Sequence, residues 1–94
     1  MSIKLGDYVS IPHSLSFMPD FMGKREYGVV HLIDGDDYHI VFPIGDDDPR
    51  VHSQAVPYEE GELRVETREE ALKHLPSVWA SVPANELVYQ EAQA

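Results

Sequence analysis

Apolar and polar residues alternate along several stretches of this chain, and a period of two is the mark of a half-buried strand. Ile3, Leu5, Val9 and Ile11 flank Gly6-Asp7, which predicts a first strand over 3–12 with a bulge or bend near Gly6. Tyr27 to Ile33 and Tyr38 to Pro43 are β-rich runs joined by Asp34-Gly35-Asp36-Asp37, and an Asp-Gly pair in that position predicts a hairpin. An odd loop would put Val30 and Leu32 on one inner face with Tyr38, Ile40 and Phe42, and would oppose His31 to His39 on the outside. An even loop changes that register. Leu63 and Val65 alternate with charged neighbours and predict a short strand with both apolar side chains inward. Near the end, Val78, Ala80 and Val82 on one face and Trp79 on the other predict a strand over 77–82, followed by a tight turn at 83–86 and a last strand over 87–89.

One segment breaks this period. Thr67-Arg68-Glu69-Glu70 has the form of a capping box, in which a Thr hydroxyl and a Glu carboxylate satisfy amide groups at a helix start. Ala71, Leu72 and Leu75 give the helix a small apolar face, and Pro76 stops it, so a helix is predicted over 67–75. Residues 13–24 are rich in turn formers yet carry Phe17, Met18, Phe21 and Met22, which predicts a long loop that caps one end of the fold or meets a partner. Residues 44–57, with Gly45-Asp46-Asp47-Asp48-Pro49, read as an exposed excursion ending in a short edge strand around 50–56.

Ninety-four residues support one modest core and no second lobe. The absence of cysteine excludes disulfides and thiolate metal sites and fits a reducing compartment. No leader-like apolar start or membrane-length apolar run is present, and a soluble cytoplasmic protein is expected.

Gly6-Asp7-Tyr8-Val9, Gly28-Val29-Val30, Tyr38-x-Ile40-x-Phe42 and Val82-Pro83-Ala84-Asn85-Glu86-Leu87-Val88, in that order, resemble the SH3-like small-barrel superfamily of SH3, KOW and Tudor-type modules. The resemblance implies a mainly β fold, a small barrel of five to six strands with one short inserted α-helix. The whole chain would then be one domain, with an acidic insertion at about 44–76 and a frayed tail at 90–94. In SH3 domains a Val-Pro-Ser-Asn-Tyr-Val segment lends a Pro and a Tyr to a groove for proline-rich peptides. Here Val82, Pro83, Asn85 and Val88 are kept, while Glu86 and Leu87 follow Asn85 where the groove tyrosine would stand. A groove reading would enlist Tyr8, Trp79, Pro83 and Tyr89 to recognise a peptide or a subunit.

Charge points elsewhere. The chain has 17 acidic and 7 basic side chains, a formal net charge of −10. Twelve of the acids lie between Asp34 and Glu70, against Arg50, Arg64 and Arg68. Such a surface repels a phosphate backbone, which excludes direct nucleic-acid binding, and is drawn to a basic partner. The expected function is a non-enzymatic acidic protein-binding module, an inhibitor that docks on the cationic, nucleic-acid-binding surface of a partner protein. Asp34, Asp36, Asp37, Asp46, Asp47 and Asp48 would supply charge, and Phe17, Met18, Phe21, Met22 and Trp79 apolar contact. The acidic runs lack the spacing of a Ca²⁺ loop, and His31 with His39 gives two ligands where a zinc site needs more, so no cofactor or metal is expected. No nucleophile elbow or phosphate loop occurs, and Ser10, Asp7 and His13 make no recognisable triad.

Overall fold

A computed structural model describes residues 3–12 and 25–89. Five antiparallel strands, β1 (Tyr8–Ile11), β2 (Glu26–Asp34), β3 (Asp37–Pro43), β4 (Ser53–Glu59) and β5 (Arg64–Glu66), form one open sheet in the order β4-β3-β2-β1-β5. Gly6, at φ +85°, makes the bend that leads into β1. The β2–β3 hairpin closes through two residues, Gly35 and Asp36, between the paired Asp34 and Asp37. Gly35 alone takes positive φ, +61°, the pattern of a type II′ turn, which matches the twist of the flanking strands. Pro57 sits in β4, an edge strand, where a residue without an N–H is tolerated.

Chain length requires the open sheet to curve. Its two edge strands, β4 and β5, are joined only by the 3₁₀ turn Glu60–Glu62 and Leu63. A link with three residues in that conformation reaches on the order of 13 Å, whereas the edges of a flat five-stranded sheet lie about 19 Å apart. Both faces of the sheet carry a packed cluster. Val9, Ile11, Val30, Ile40, Phe42 and Tyr58 pack on one side together with Ile3. Tyr8, Tyr27, Val29 and Val41 pack on the other against Ala71, Leu75, Trp79, Val82 and Leu87. Residues 26–30 are therefore buried without interruption, as in a strand covered on both sides. At Gly28 a Cβ would stand 2.7 Å from Ile40 Cγ2, so β2 and β3 approach here only because the side chain is absent.

Several expectations are corrected. Residues 44–76 are no insertion, since 53–66 supply two of the five strands. Val65 pairs with buried Val9 and shares its face, but on an edge strand it stays 38% exposed, while Leu63 is half-buried. Ser77–Ser81 is a 3₁₀ turn and not a strand, the turn expected over 83–86 is the 3₁₀ turn Ala84–Leu87, and 87–89 form no strand; the two turns are entered through Pro76 and Pro83. With three residues per turn, Trp79 and Val82 share the buried face, and so do Ala84 and Leu87. The helix is one short turn, α1 (Arg68–Leu72). Thr67 caps it by accepting from the Glu70 N–H at 3.0 Å, but the Glu70 carboxylate turns to His74 and Lys73 and leaves the box half made. Among the described residues no helix is long and apolar enough to cross a membrane.

Candidate functional site, an acidic edge of the sheet

The short β2–β3 turn fixes a register in which acids face acids. Asp34 pairs with Asp37 across the hairpin, and Asp37 pairs in turn with Glu59 on β4. Side chains directly opposite one another are close neighbours on one face, and like charges so placed destabilise a sheet. Asp36 in the turn and Glu60 at the end of β4 extend the row. All five are exposed, and none makes an ion pair among the described residues. Asp36, Glu59 and Glu60 line, with Tyr38, a concavity of about 300 Å³. The Glu62 carboxylate is turned back on the chain, accepting from the Glu59 N–H at 2.9 Å.

The second acidic run sits at the far end of β3, about 20 Å along the strand by its length. Two of its three aspartates have side-chain partners. Asp48 accepts from the Arg50 backbone N–H at 2.8 Å, from Nη2 at 2.7 Å and from Nε at 3.1 Å, and these bonds hold its carboxyl below the usual carboxylate range. Arg50 also reaches Glu86 at 2.9 Å, which ties this loop to the C-terminal 3₁₀ turn and raises the guanidinium pKa. Asp47 bonds His52 Nδ1 at 2.7 Å. Asp46 lines a separate groove of about 410 Å³ with Tyr27, Pro43, Lys73 and His74. The six aspartates singled out in the sequence thus form two groups: Asp34, Asp36 and Asp37 at the hairpin edge, and Asp46, Asp47 and Asp48 in the loop after β3, where Asp47 and Asp48 have partners and Asp46 makes no ion pair among the described residues.

The apolar half of the expected surface fares differently. Phe17, Met18, Phe21 and Met22 lie outside the described residues. Trp79 is corrected from a contact residue to a core residue, 1% exposed beneath the sheet, and Tyr8 is buried with it. Of the expected groove lining only Pro83 and Tyr89 are exposed.

His31 and His39 do not oppose each other. A bulge between Val30 and Leu32 puts His31 out of register, and Leu32 pairs with His39. His31 Nδ1 donates to the Leu87 carbonyl at 2.6 Å, and its ring meets Tyr89 edge to face. Among the described residues no three acids or histidines converge as metal ligands.

Sequence reasoning missed Glu59 and Glu60. The signal was present in Tyr58-Glu59-Glu60 at the end of a strand, but only the register brings them to Asp37. It also missed a buried polar network behind β1. Ser10, fully buried, donates to Glu66 at 2.5 Å and accepts from Arg25 Nε at 2.6 Å, and Glu66 accepts from Arg64 Nε at 2.7 Å. No protein-family model, curated protein or solved structure matches this chain.

Proposed function

We propose that this chain is a non-enzymatic protein-binding module that presents the row Asp34, Asp37 and Glu59, with Asp36 and Glu60, to the basic surface of a partner protein. The observation that carries the reading is five exposed carboxylates at one sheet edge, three of them (Asp34, Asp37 and Glu59) in register, with no ion-pair partner among the described residues. Their mutual repulsion is relieved only when cations approach, so the free protein holds a site of strong differential affinity for a basic surface. A lysine or arginine entering the concavity would meet carboxylates from Asp36, Glu59 and Glu60 and the ring of Tyr38, an ion pair joined to a cation–π contact. A basic surface of this kind is typically one that binds nucleic acid, and the module would inhibit it by occupying it. A cytoplasmic site of action, consistent with a cysteine-free chain, belongs to the same proposal.

The fold reading that accompanies it is a small SH3-like barrel. The order β4-β3-β2-β1-β5, with the first strand between the second and fifth and a 3₁₀ turn joining the two edges, supports it. Burial of Tyr8 and Trp79 removes the lining a peptide groove would use. Ser10, whose hydroxyl is buried and doubly bonded, is no nucleophile.

Calorimetric titration with an arginine-rich polypeptide tests the reading. The triple variant Asp36→Asn, Glu59→Gln, Glu60→Gln is expected to bind about tenfold or more weakly, since each lost charge-assisted contact is worth roughly 1 kcal/mol or more. Replacing Asp47 and Asp48 with Asn is expected to change affinity little, because Arg50 and His52 already occupy them. Equal binding by the triple variant and the native chain would refute the site.

A further inference from the structure

In the polar network behind β1 two guanidinium groups lie close together. Arg25, just before β2, and Arg64, which opens β5, are joined by a chain of hydrogen bonds through Ser10 and Glu66. Arg25 spends Nε on the Ser10 hydroxyl and Nη2 on the Ser10 carbonyl at 3.0 Å. Arg64 spends Nε on Glu66, whose bond raises its pKa, and Tyr27 lies near enough to add to that rise. A guanidinium offers more N–H donors than these contacts use. The anchors are themselves fixed, since Ser10 is fully buried and the Glu66 side chain is 8% exposed, whereas Arg64 is 57% exposed and reachable.

Two guanidiniums share one carboxylate, which leaves the cluster with a formal charge of +1 on a chain of −10. Arg25 registers the excess: burial and the proximity of Arg64 lower its pKa. A cationic pair held from behind by its Nε atoms loses little freedom when the remaining N–H groups engage a ligand.

We infer that Arg25 and Arg64, with the Tyr27 hydroxyl beside them, form a clamp for a small oxyanion, the group shared by phosphate esters and carboxylates. The site is distinct from the acidic edge and does not depend on its function. Glu66 limits affinity by neutralising one charge, and Ser10 positions both Glu66 and Arg25.

The test is a ¹⁵N NMR titration of the full chain with inorganic phosphate, with acetate, and with chloride at matched ionic strength, followed at Arg25 and Arg64 Nε–H and at the Tyr27 amide. Phosphate or acetate is expected to give saturable shifts that chloride does not. Tighter phosphate binding identifies a phosphate ester as the natural group, and tighter acetate binding a carboxylate. Arg64→Gln is expected to weaken binding about tenfold. Glu66→Gln, which keeps the shape of the network and removes its negative charge, is expected to strengthen binding several-fold, an effect no merely structural role would give. Shifts no larger than those from chloride, or affinity unchanged in Arg64→Gln and weakened in Glu66→Gln, would overturn the inference.

Discussion

Gly28 occupies a position where a single methyl group has no room, facing the Val41 backbone carbonyl between the side chains of Ile40 and Phe42 on the neighbouring strand. Gly28→Ala is expected to cost about 1–3 kcal/mol through overpacking, read as a lower urea midpoint at unchanged slope. Trp79→Ala is expected to cost about 3–5 kcal/mol as a cavity in the core, and to leave affinity per folded molecule for a basic partner unaltered. Tyr58 offers a pH test at the same scale. Burial, with the charges of Glu26 and Glu62 adding to it, pushes its hydroxyl up to about 12 from an ordinary value of 10. The unfolded chain therefore ionises first, so the contribution of neutral Tyr58 is complete below about pH 10 and is lost as pH rises toward 12. Tyrosinate absorbance in the folded protein should show one late-titrating tyrosine, absent from Tyr58→Phe. Glycine as a hairpin opener is legible in the sequence. Its close packing, and the Ser10–Glu66 bond across 56 residues, are not, because they depend on which strands become neighbours.

At the scale of elements, the β2–β3 hairpin was the clearest signal in the sequence, and it forms over residues close to those expected. What the chain pattern left open was loop parity. Two turn residues and a bulge at His31 set a register that alternation alone does not specify, and that register creates the acidic row. The C-terminal segment misled because short apolar runs spaced by two also contain pairs spaced by three. Val78, Ala80 and Val82 suggest a strand, while Trp79 with Val82 and Ala84 with Leu87 satisfy a 3₁₀ turn, and coverage of the sheet face decides between them. Val65 faces the same side as Val9 yet stays partly exposed, since a three-residue edge strand has a neighbour on one side only. The helix start was legible through its cap. Thr67→Ala is expected to lower stability by about 1 kcal/mol, with Thr67→Ser close to native, as measured by urea denaturation. The Glu70 carboxyl lies below its ordinary range through its hydrogen bond to His74 and the charge of Lys73. Its contribution is present above the unfolded carboxylate pKa and fades as pH falls through the lowered value.

For the whole molecule, the net charge of −10 matters less than where its counter-charges lie. Arg50 offsets Asp48 in the loop after β3, where His52 also bonds Asp47, Lys73 and His74 bond Glu70 of α1, and the hairpin edge makes no ion pair among the described residues. The segment that holds the acids was visible in the sequence, but which of them are compensated was not, because pairing partners such as Arg50 and Glu86 are set by the fold. A site kept for binding at the expense of folding has a recognisable signature: Glu59→Gln should stabilise the free protein by roughly 0.2–1 kcal/mol while weakening its complex. The most direct measurement of the central claim is the salt dependence of affinity for an arginine-rich polypeptide, compared between the native chain and the Asp36→Asn, Glu59→Gln, Glu60→Gln variant. Steep loss of native affinity with rising salt and a flattened slope in the variant are the expected results; parallel slopes would contradict the assignment of the acidic edge as the binding surface.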